Sequence, residues 1–162
     1  MSPRARAVRL LPDPDQHELL LSTLQRVNRA SNAARSAALE HGATSGNALR
    51  DAVREELERF KLPSGFATPA FRRVEASISG PPGRRQRFSE NQSLVFPASS
   101  LRWPSSDRVV MPTAAGRRTI RVYVEPSGHG GLRPPLEGAD AALVFRNGQF
   151  ELVADEPGDP DE

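Results

Sequence analysis

Residues 7–24 read AVRLLPDPDQHELLLSTL and join a short apolar run to the start of a helix. Asp13 can cap that helix, and Pro14 suits its first position. Gln16 stands three residues after the cap, as in a capping box. The apolar run before Pro12 is too short to be a domain and is typical of a strand. We therefore expect a first strand that leads directly into a helical block.

The helical block covers residues 13–80 and divides into three helices. Apolar residues recur at helical spacing along the first helix, which should end near Gly42. The second helix should be capped near Ser45 or Asn47. It should stop before Pro63, because the residue that precedes a proline disfavours the helical backbone. A third helix should follow and complete a small bundle.

After the helices, residues 88–154 contain short apolar runs separated by turn residues, which is typical of strands. Asn147-Gly148 stands between two of these runs and is a strong signal for a tight hairpin. Four apolar residues should pair across this turn: Leu143, Phe145, Phe150 and Leu152. The order of elements predicts an α+β fold, with the helical block inserted near the start of a sheet or barrel.

Length and composition limit the class of protein. A chain of 162 residues can form one domain, or two small modules that share a core. The absence of cysteine excludes disulfides and cysteine-based zinc sites, and it favours a cytoplasmic protein. No apolar run reaches the length of a signal peptide or a membrane span, so we expect a soluble protein that is neither exported nor bound to a membrane.

The positive charge is concentrated in one stretch, although the formal net charge is only +2. Residues 72–121 contain ten arginines and three acids, a balance of +7. Arginine can grip phosphates with two parallel hydrogen bonds and can stack on bases, so this clustering favours a nucleic-acid contact. The alternative is a general preference for arginine, because Lys61 is the single lysine of the chain.

The candidate site residues follow from that clustering. Eight arginines are predicted to contact phosphates: Arg72, Arg73, Arg84, Arg85, Arg87, Arg117, Arg118 and Arg121. Trp103 lies within the same stretch and could stack on an exposed base, although a core position is the alternative. Asn32 could read a base edge, or it could bond a neighbouring segment from the flank of its helix.

No pattern in the sequence indicates catalysis. The three histidines are isolated from one another, no Gly-x-Ser-x-Gly motif is present, and the glycines of residues 128–131 lack the lysine of a phosphate-binding loop. The carboxylates do not form a group suited to magnesium. We therefore expect no catalytic residue, no metal site and no cofactor.

Several short motifs occur in an order that resembles one known family. They are VRLLPDPDQ at residues 8–16, ASNA at 30–33, LPS at 62–64, RVVMPT at 108–113 and ADAALVFRNGQFEL at 139–152. Together they resemble the part of TnpB-type (OrfB) transposon proteins that precedes the nuclease domain. These proteins are RNA-guided DNA nucleases related to type V CRISPR effectors, and the resemblance spans nearly the whole chain.

The resemblance implies a fold and a set of partners. The chain would comprise a wedge domain, which is a small antiparallel β-barrel, with a three-helix recognition domain inserted after its first strand. In that family the two domains help to hold the guide RNA and contact the target DNA. The magnesium-binding acids belong to the RuvC-like nuclease domain, and cysteines to a zinc-binding insertion; neither is found here. The resemblance therefore implies a nucleic-acid-binding portion that is truncated before RuvC and is not an enzyme alone.

With this interpretation the sequence divides into five parts. Residues 1–12 would form the first strand of the wedge barrel, and residues 13–80 the helical recognition insertion. Residues 81–87 would be a basic linker, residues 88–154 the rest of the barrel, and residues 155–162 a disordered acidic tail. Two alternatives remain open, namely half of a split nuclease completed by a separate RuvC-containing chain, and an unrelated small β-barrel that acts as an interaction protein.

One prediction follows from the sequence. Replacing Arg84, Arg85 and Arg87 together with glutamine should weaken RNA binding and reduce its dependence on salt, because fewer phosphates are neutralised and fewer counterions are released. The measurement is a titration of labelled RNA at several salt concentrations. An unchanged slope would remove this segment from the contact surface.

Overall fold

The computed structural model of the protein describes residues 5–80, 87–123 and 136–155. The helices are α1 Pro14–His41, α2 Gly46–Arg59 and α3 Ala67–Ser79, with short 3-10 turns at Ser64–Phe66 and Ala98–Ser100. The strands are β1 Ala5–Arg9, β2 Leu94–Phe96, β3 Arg102–Ser105, β4 Arg108–Thr113, β5 Gly116–Arg121, β6 Ala141–Arg146 and β7 Gln149–Asp155. The predicted basic linker at 81–87 and the predicted tail at 155–162 lie almost wholly outside the described residues.

The described strands form two antiparallel sheets. One sheet has four strands in the order β1-β7-β6-β2, and the other has three strands in the order β3-β4-β5. An isolated bridge between Leu10 and Val122 joins them. The predicted α+β class is therefore confirmed. The predicted closed barrel is not formed by the described residues, because their strand pairings leave two separate sheets.

The chain divides into two compact units. The first contains Met1–His17, Ser93–Met111 and Arg117–Glu162, and the second contains Glu18–Gln92 and Pro112–Gly116. Helix α1 therefore begins in the first unit and continues in the second. The first unit holds both sheets apart from the end of β4, the turn that follows it and the first residue of β5. The second unit is the helical one.

In the first unit, Leu10 lies between strands of both sheets. Its backbone N–H donates to the Phe150 carbonyl at 2.9 Å, and its side chain is buried. On the other side it pairs with Val122, and the Tyr123 N–H donates to the Arg9 carbonyl at 2.9 Å. The segment that follows β1 thus supplies hydrogen bonds to β7 and to the end of β5.

The capping box predicted at the start of α1 is confirmed. The Gln16 N–H donates to Asp13 Oδ1 at 2.8 Å, and the Asp13 N–H donates to Gln16 Oε1 at 3.1 Å. Gln16 Nε2 also donates to the Thr119 carbonyl at 3.0 Å. The His17 ring lies edge-on to Phe150, with 5.1 Å between ring centroids. The first turn of α1 is therefore fixed to β5 and β7 within the first unit.

In the second unit, two helices end with a residue in the left-handed conformation. Gly42 has a φ of 70° at the predicted end of α1. Lys61 has a φ of 58° after α2, where the Leu62 N–H donates to the Leu57 carbonyl at 2.9 Å, as in a Schellman motif. Arg26 from α1 donates to the Phe60 and Lys61 carbonyls, at 2.6 and 2.9 Å. It thus supplies hydrogen-bond donors to backbone carbonyls just after the C-terminal end of α2.

The predicted hairpin is confirmed in its turn and in its register. Leu143 pairs with Leu152, and Phe145 pairs with Phe150, across the antiparallel strands β6 and β7. Asn147 and Gly148 have φ values of 54° and 76°, which a type I′ turn requires at both of its central residues.

Replacing Gly148 with alanine should lower the free energy of unfolding by roughly 1–2 kcal/mol, because a Cβ disfavours positive φ. Steric contact should not add to this loss of stability, since no atom lies within 4 Å of the added Cβ. Urea unfolding followed by circular dichroism measures the change. Gly65→Ala is the matched control, because its added Cβ also meets nothing within 4 Å and its φ is not positive. Equal losses in the two variants would contradict this explanation.

Candidate nucleic-acid interface

The three-stranded sheet carries a strong excess of positive charge. Residues 102–123 contain five arginines and one acid, Asp107, a balance of +4. The five arginines are Arg102, Arg108, Arg117, Arg118 and Arg121. All five are exposed, so the charge lies at the surface of the first unit.

Strand register brings four of these arginines to one face. Only two residues separate β4 from β5, so Thr113 faces Gly116, and counting back places Arg108 opposite Arg121. A hydrogen bond of 2.8 Å from the Val122 N–H to the Asp107 carbonyl agrees with that register. Side chains alternate along a strand, so Arg117 shares the face of Arg121.

The third strand of the sheet adds a further arginine to the same face. Arg102 pairs with Val110, which stands two residues after Arg108 on β4 and therefore points to the same side. We use the name arginine face for this set, which consists of Arg102, Arg108, Arg117 and Arg121. It draws one or two side chains from each strand of the sheet.

The guanidinium groups of the arginine face have few partners within the described part of the chain. Arg102, Arg108 and Arg121 make no side-chain hydrogen bond or ion pair there. Arg117 makes a long contact of 3.4 Å from Nη1 to the Ser100 carbonyl. Their hydrogen-bond donors are therefore available to an external acceptor.

The acid Asp107 interacts electrostatically with two arginines of this face, Arg108 and Arg121. The Ser105 hydroxyl donates to Asp107 Oδ1 at 2.6 Å, and this bond lowers the pKa of the carboxyl group below its usual value. The positive charges of Arg108 and Arg121 lower the pKa further. Asp107 is therefore ionised at neutral pH and opposes the approach of a phosphate.

Two predicted site residues of this sheet are not part of the arginine face. Arg118 alternates with Arg117, and its Nη1 donates to the Arg117 carbonyl at 2.9 Å. Trp103 is half-buried, and the register of β3 with β4 shifts between Arg102 and Ser105, so alternation does not assign its side chain to either side of the sheet. The contacts of both residues with nucleic acid remain predictions.

Asn32 and Arg73 lie in the helical unit and already have intramolecular partners. The Asn32 side-chain amide donates to the Phe88 carbonyl at 2.8 Å and accepts from the Phe88 N–H at 2.7 Å. Arg73 Nη1 donates to Asn28 Oδ1 at 2.6 Å, and its guanidinium lies 4.3 Å from the centre of the Phe88 ring. Both side chains therefore hold the segment around Phe88 against α1.

Asn28 connects this arrangement to the following residues. Its Nδ2 donates to the Glu90 carbonyl at 2.7 Å and to the Gln92 carbonyl at 3.1 Å. Burial lowers the pKa of Arg73 to about 10, which still leaves the guanidinium charged at neutral pH. The Asn28 oxygen is thus an acceptor for a buried charge, which is costly to leave unsatisfied.

The other predicted arginines are spread over the chain. Arg72 is exposed on α3, and Arg87 is exposed just before Phe88. Arg84 and Arg85 lie outside the described residues. The structure therefore does not bring all eight predicted arginines into one surface.

The sequence reasoning missed Arg102 and Arg108, which share a side of the sheet with Arg121. A two-residue turn between alternating strands was the available signal, since it fixes which side chains share a face.

Within the ranges that the structure describes, no group of three or more His, Cys, Asp or Glu side chains could hold a metal ion. None of the described helices is long and apolar enough to cross a membrane.

No protein-family model matches the chain, and no curated protein matches it.

Replacing Asn32 with alanine should lower the free energy of unfolding by roughly 1–3 kcal/mol, because the part-buried Phe88 N–H loses its acceptor. Asn28→Ala should cost at least as much, since it leaves the buried Arg73 guanidinium without this partner. Chemical denaturation measures both changes. Asn91→Ala is the control, because this exposed side chain accepts a single hydrogen bond among the described residues, of 3.2 Å from Gln25.

The same variants test the predicted role of Asn32 in binding. An Asn32→Ala chain that keeps its stability and loses RNA affinity would contradict the structural role and support a direct contact. A chain whose stability falls in proportion to the hydrogen bonds removed would support the structural role.

Proposed function

We propose that this chain binds nucleic acid through the arginine face. The observation that carries the proposal is that four exposed arginines from three strands share one side of a sheet, and three of them make no side-chain hydrogen bond or ion pair among the described residues. Phosphates are the ligands that best fit such donors, because each guanidinium can form two parallel hydrogen bonds with one phosphate.

Charge supports the same ligand class. A balance of +4 over residues 102–123 attracts a polyanion and releases its counterions on binding. A protein partner with acidic side chains would need a matching array of carboxylates. A nucleic-acid backbone presents a regular line of phosphates along one strand, which suits arginines spaced along and across neighbouring β-strands.

The specific role that we propose is that of the wedge and recognition portion of a TnpB-type RNA-guided nuclease. The order of the described elements supports it, since three α-helices follow the first strand and six strands follow the helices. The bridge from Leu10 to Val122 supports it as well, because it connects the two sheets of the first unit. Guide RNA and target DNA would be the ligands, and a RuvC-containing region or chain would supply catalysis.

Replacing Arg108 and Arg121 together with glutamine should weaken the binding of RNA and reduce its salt dependence. The slope of log affinity against log salt should fall by about 0.7 to 0.9 for each phosphate that the chain no longer neutralises. Fluorescence anisotropy with labelled RNA at several salt concentrations gives both quantities.

The matched control removes two exposed arginines elsewhere, Arg54 and Arg146, and changes the net charge by the same amount. Asp107→Asn should act in the opposite direction and raise the affinity, because it removes the carboxylate beside Arg108 and Arg121. Equal effects of the two double substitutions would contradict a specific face. The absence of binding by the unmodified chain would contradict the proposal itself and favour a protein-interaction role.

A further inference from the structure

Tyr123 is the single tyrosine of the chain, and it is exposed on the side of the arginine face. Tyr123 is 47% accessible to solvent, a high value for a large aromatic residue. Alternation along the strand direction places it on the same side as Arg121, two residues earlier. The burial of Ile120 and Val122 between these exposed residues supports the alternation. Its ring is therefore open to an external ligand beside the four arginines.

A second arginine lies across the strands from Tyr123. Leu10 pairs with Val122 in an antiparallel bridge, so Arg9 faces Tyr123, and the Tyr123 N–H donates to the Arg9 carbonyl at 2.9 Å. Arg9 is exposed, and its side chain makes no hydrogen bond or ion pair within the described ranges. The exposed ring is thus flanked by Arg121 along its own strand and by Arg9 on the neighbouring strand.

We infer that Tyr123 stacks on an unpaired base and that the arginine face therefore binds single-stranded nucleic acid in preference to duplex. This inference rests on the proposed function. A flat aromatic ring can accept the face of any base, but in a duplex both faces of each base are covered by its neighbours. Guanidinium groups on two sides of the ring are placed to hold the phosphates of the stacked nucleotide.

The surroundings of the ring favour nucleic acid over a protein partner. Arg121, Arg9 and the Glu151 that pairs with Arg9 are charged, whereas an exposed tyrosine at a protein interface is usually accompanied by apolar neighbours at its core. Residues two apart on a strand are about 6.6–6.8 Å from each other, so Arg121 and Tyr123 can reach one phosphate and the base attached to it.

The test compares one labelled RNA of about twelve nucleotides, first single-stranded and then annealed to its complement. The unmodified chain should bind the single strand more tightly. Tyr123→Ala should weaken single-strand binding by about fivefold or more, as expected for the loss of a base–aromatic stack, and should leave duplex binding almost unchanged. Tyr123→Phe should bind like the unmodified chain, because it keeps the ring.

Two further variants separate stacking from other effects. Tyr123→Leu keeps apolar area without a ring and should bind the single strand as weakly as Tyr123→Ala. Leu39→Ala is the control, since Leu39 is 45% exposed on α1 and should not alter binding to either RNA. A Tyr123→Leu chain that binds like Tyr123→Phe would overturn stacking as the cause.

The outcomes distinguish this inference from the proposed function. If the unmodified chain binds the duplex as tightly as the single strand, or if Tyr123→Ala weakens both equally, the inference is overturned while nucleic-acid binding stands. If the unmodified chain binds neither RNA, both are overturned. A selective loss of single-strand binding in Tyr123→Ala, with recovery in Tyr123→Phe, supports both.

Discussion

The hydrogen bonds on either side of Leu10 are the constraint on which the first unit depends. Its backbone N–H donates a hydrogen bond to the Phe150 carbonyl of β7. Its antiparallel bridge to Val122 connects it to the end of β5. Helix α1 begins four residues later, and its first turn bonds back to Thr119. Displacing this segment by one residue would turn every side chain of β1 to the other side of the sheet, and the exposed Arg9 would exchange places with buried neighbours.

Local features of the fold were predictable from the sequence, and the pairing of strands that are distant in the chain was not. The Asp13 and Gln16 capping box and the Asn147-Gly148 turn each involve residues within a few positions, so propensity and backbone conformation determine them. The division into two sheets depends on which distant strands share hydrogen bonds. That choice is decided by packing between residues far apart in the chain, and a pattern of alternation is compatible with either a closed or an open arrangement.

For the candidate site too, the sequence predicted some features, whereas others depended on contacts between residues far apart in the chain. Clustering of arginine between residues 72 and 121 suggested a type of side chain for the site, but it could not separate exposed groups from those with internal partners. Arg73 bonds Asn28 and lies over the ring of Phe88, and these partners are 45 and 15 positions away. The arginine face became recognisable only when the register of β3, β4 and β5 was known, because that register decides which guanidinium groups share a side.

The pairing of β1 with β7 sets an order of events during synthesis. Ala5 pairs with Asp155, so the partner of the first strand is synthesised 150 residues later. The contiguous helical segment, Glu18–Gln92, can begin to pack much earlier, which at typical translation rates means roughly three to thirteen seconds before β7 emerges. During that interval β1 has an unpaired edge with its backbone groups exposed, and the ribosome-bound chain is then most open to association with other chains.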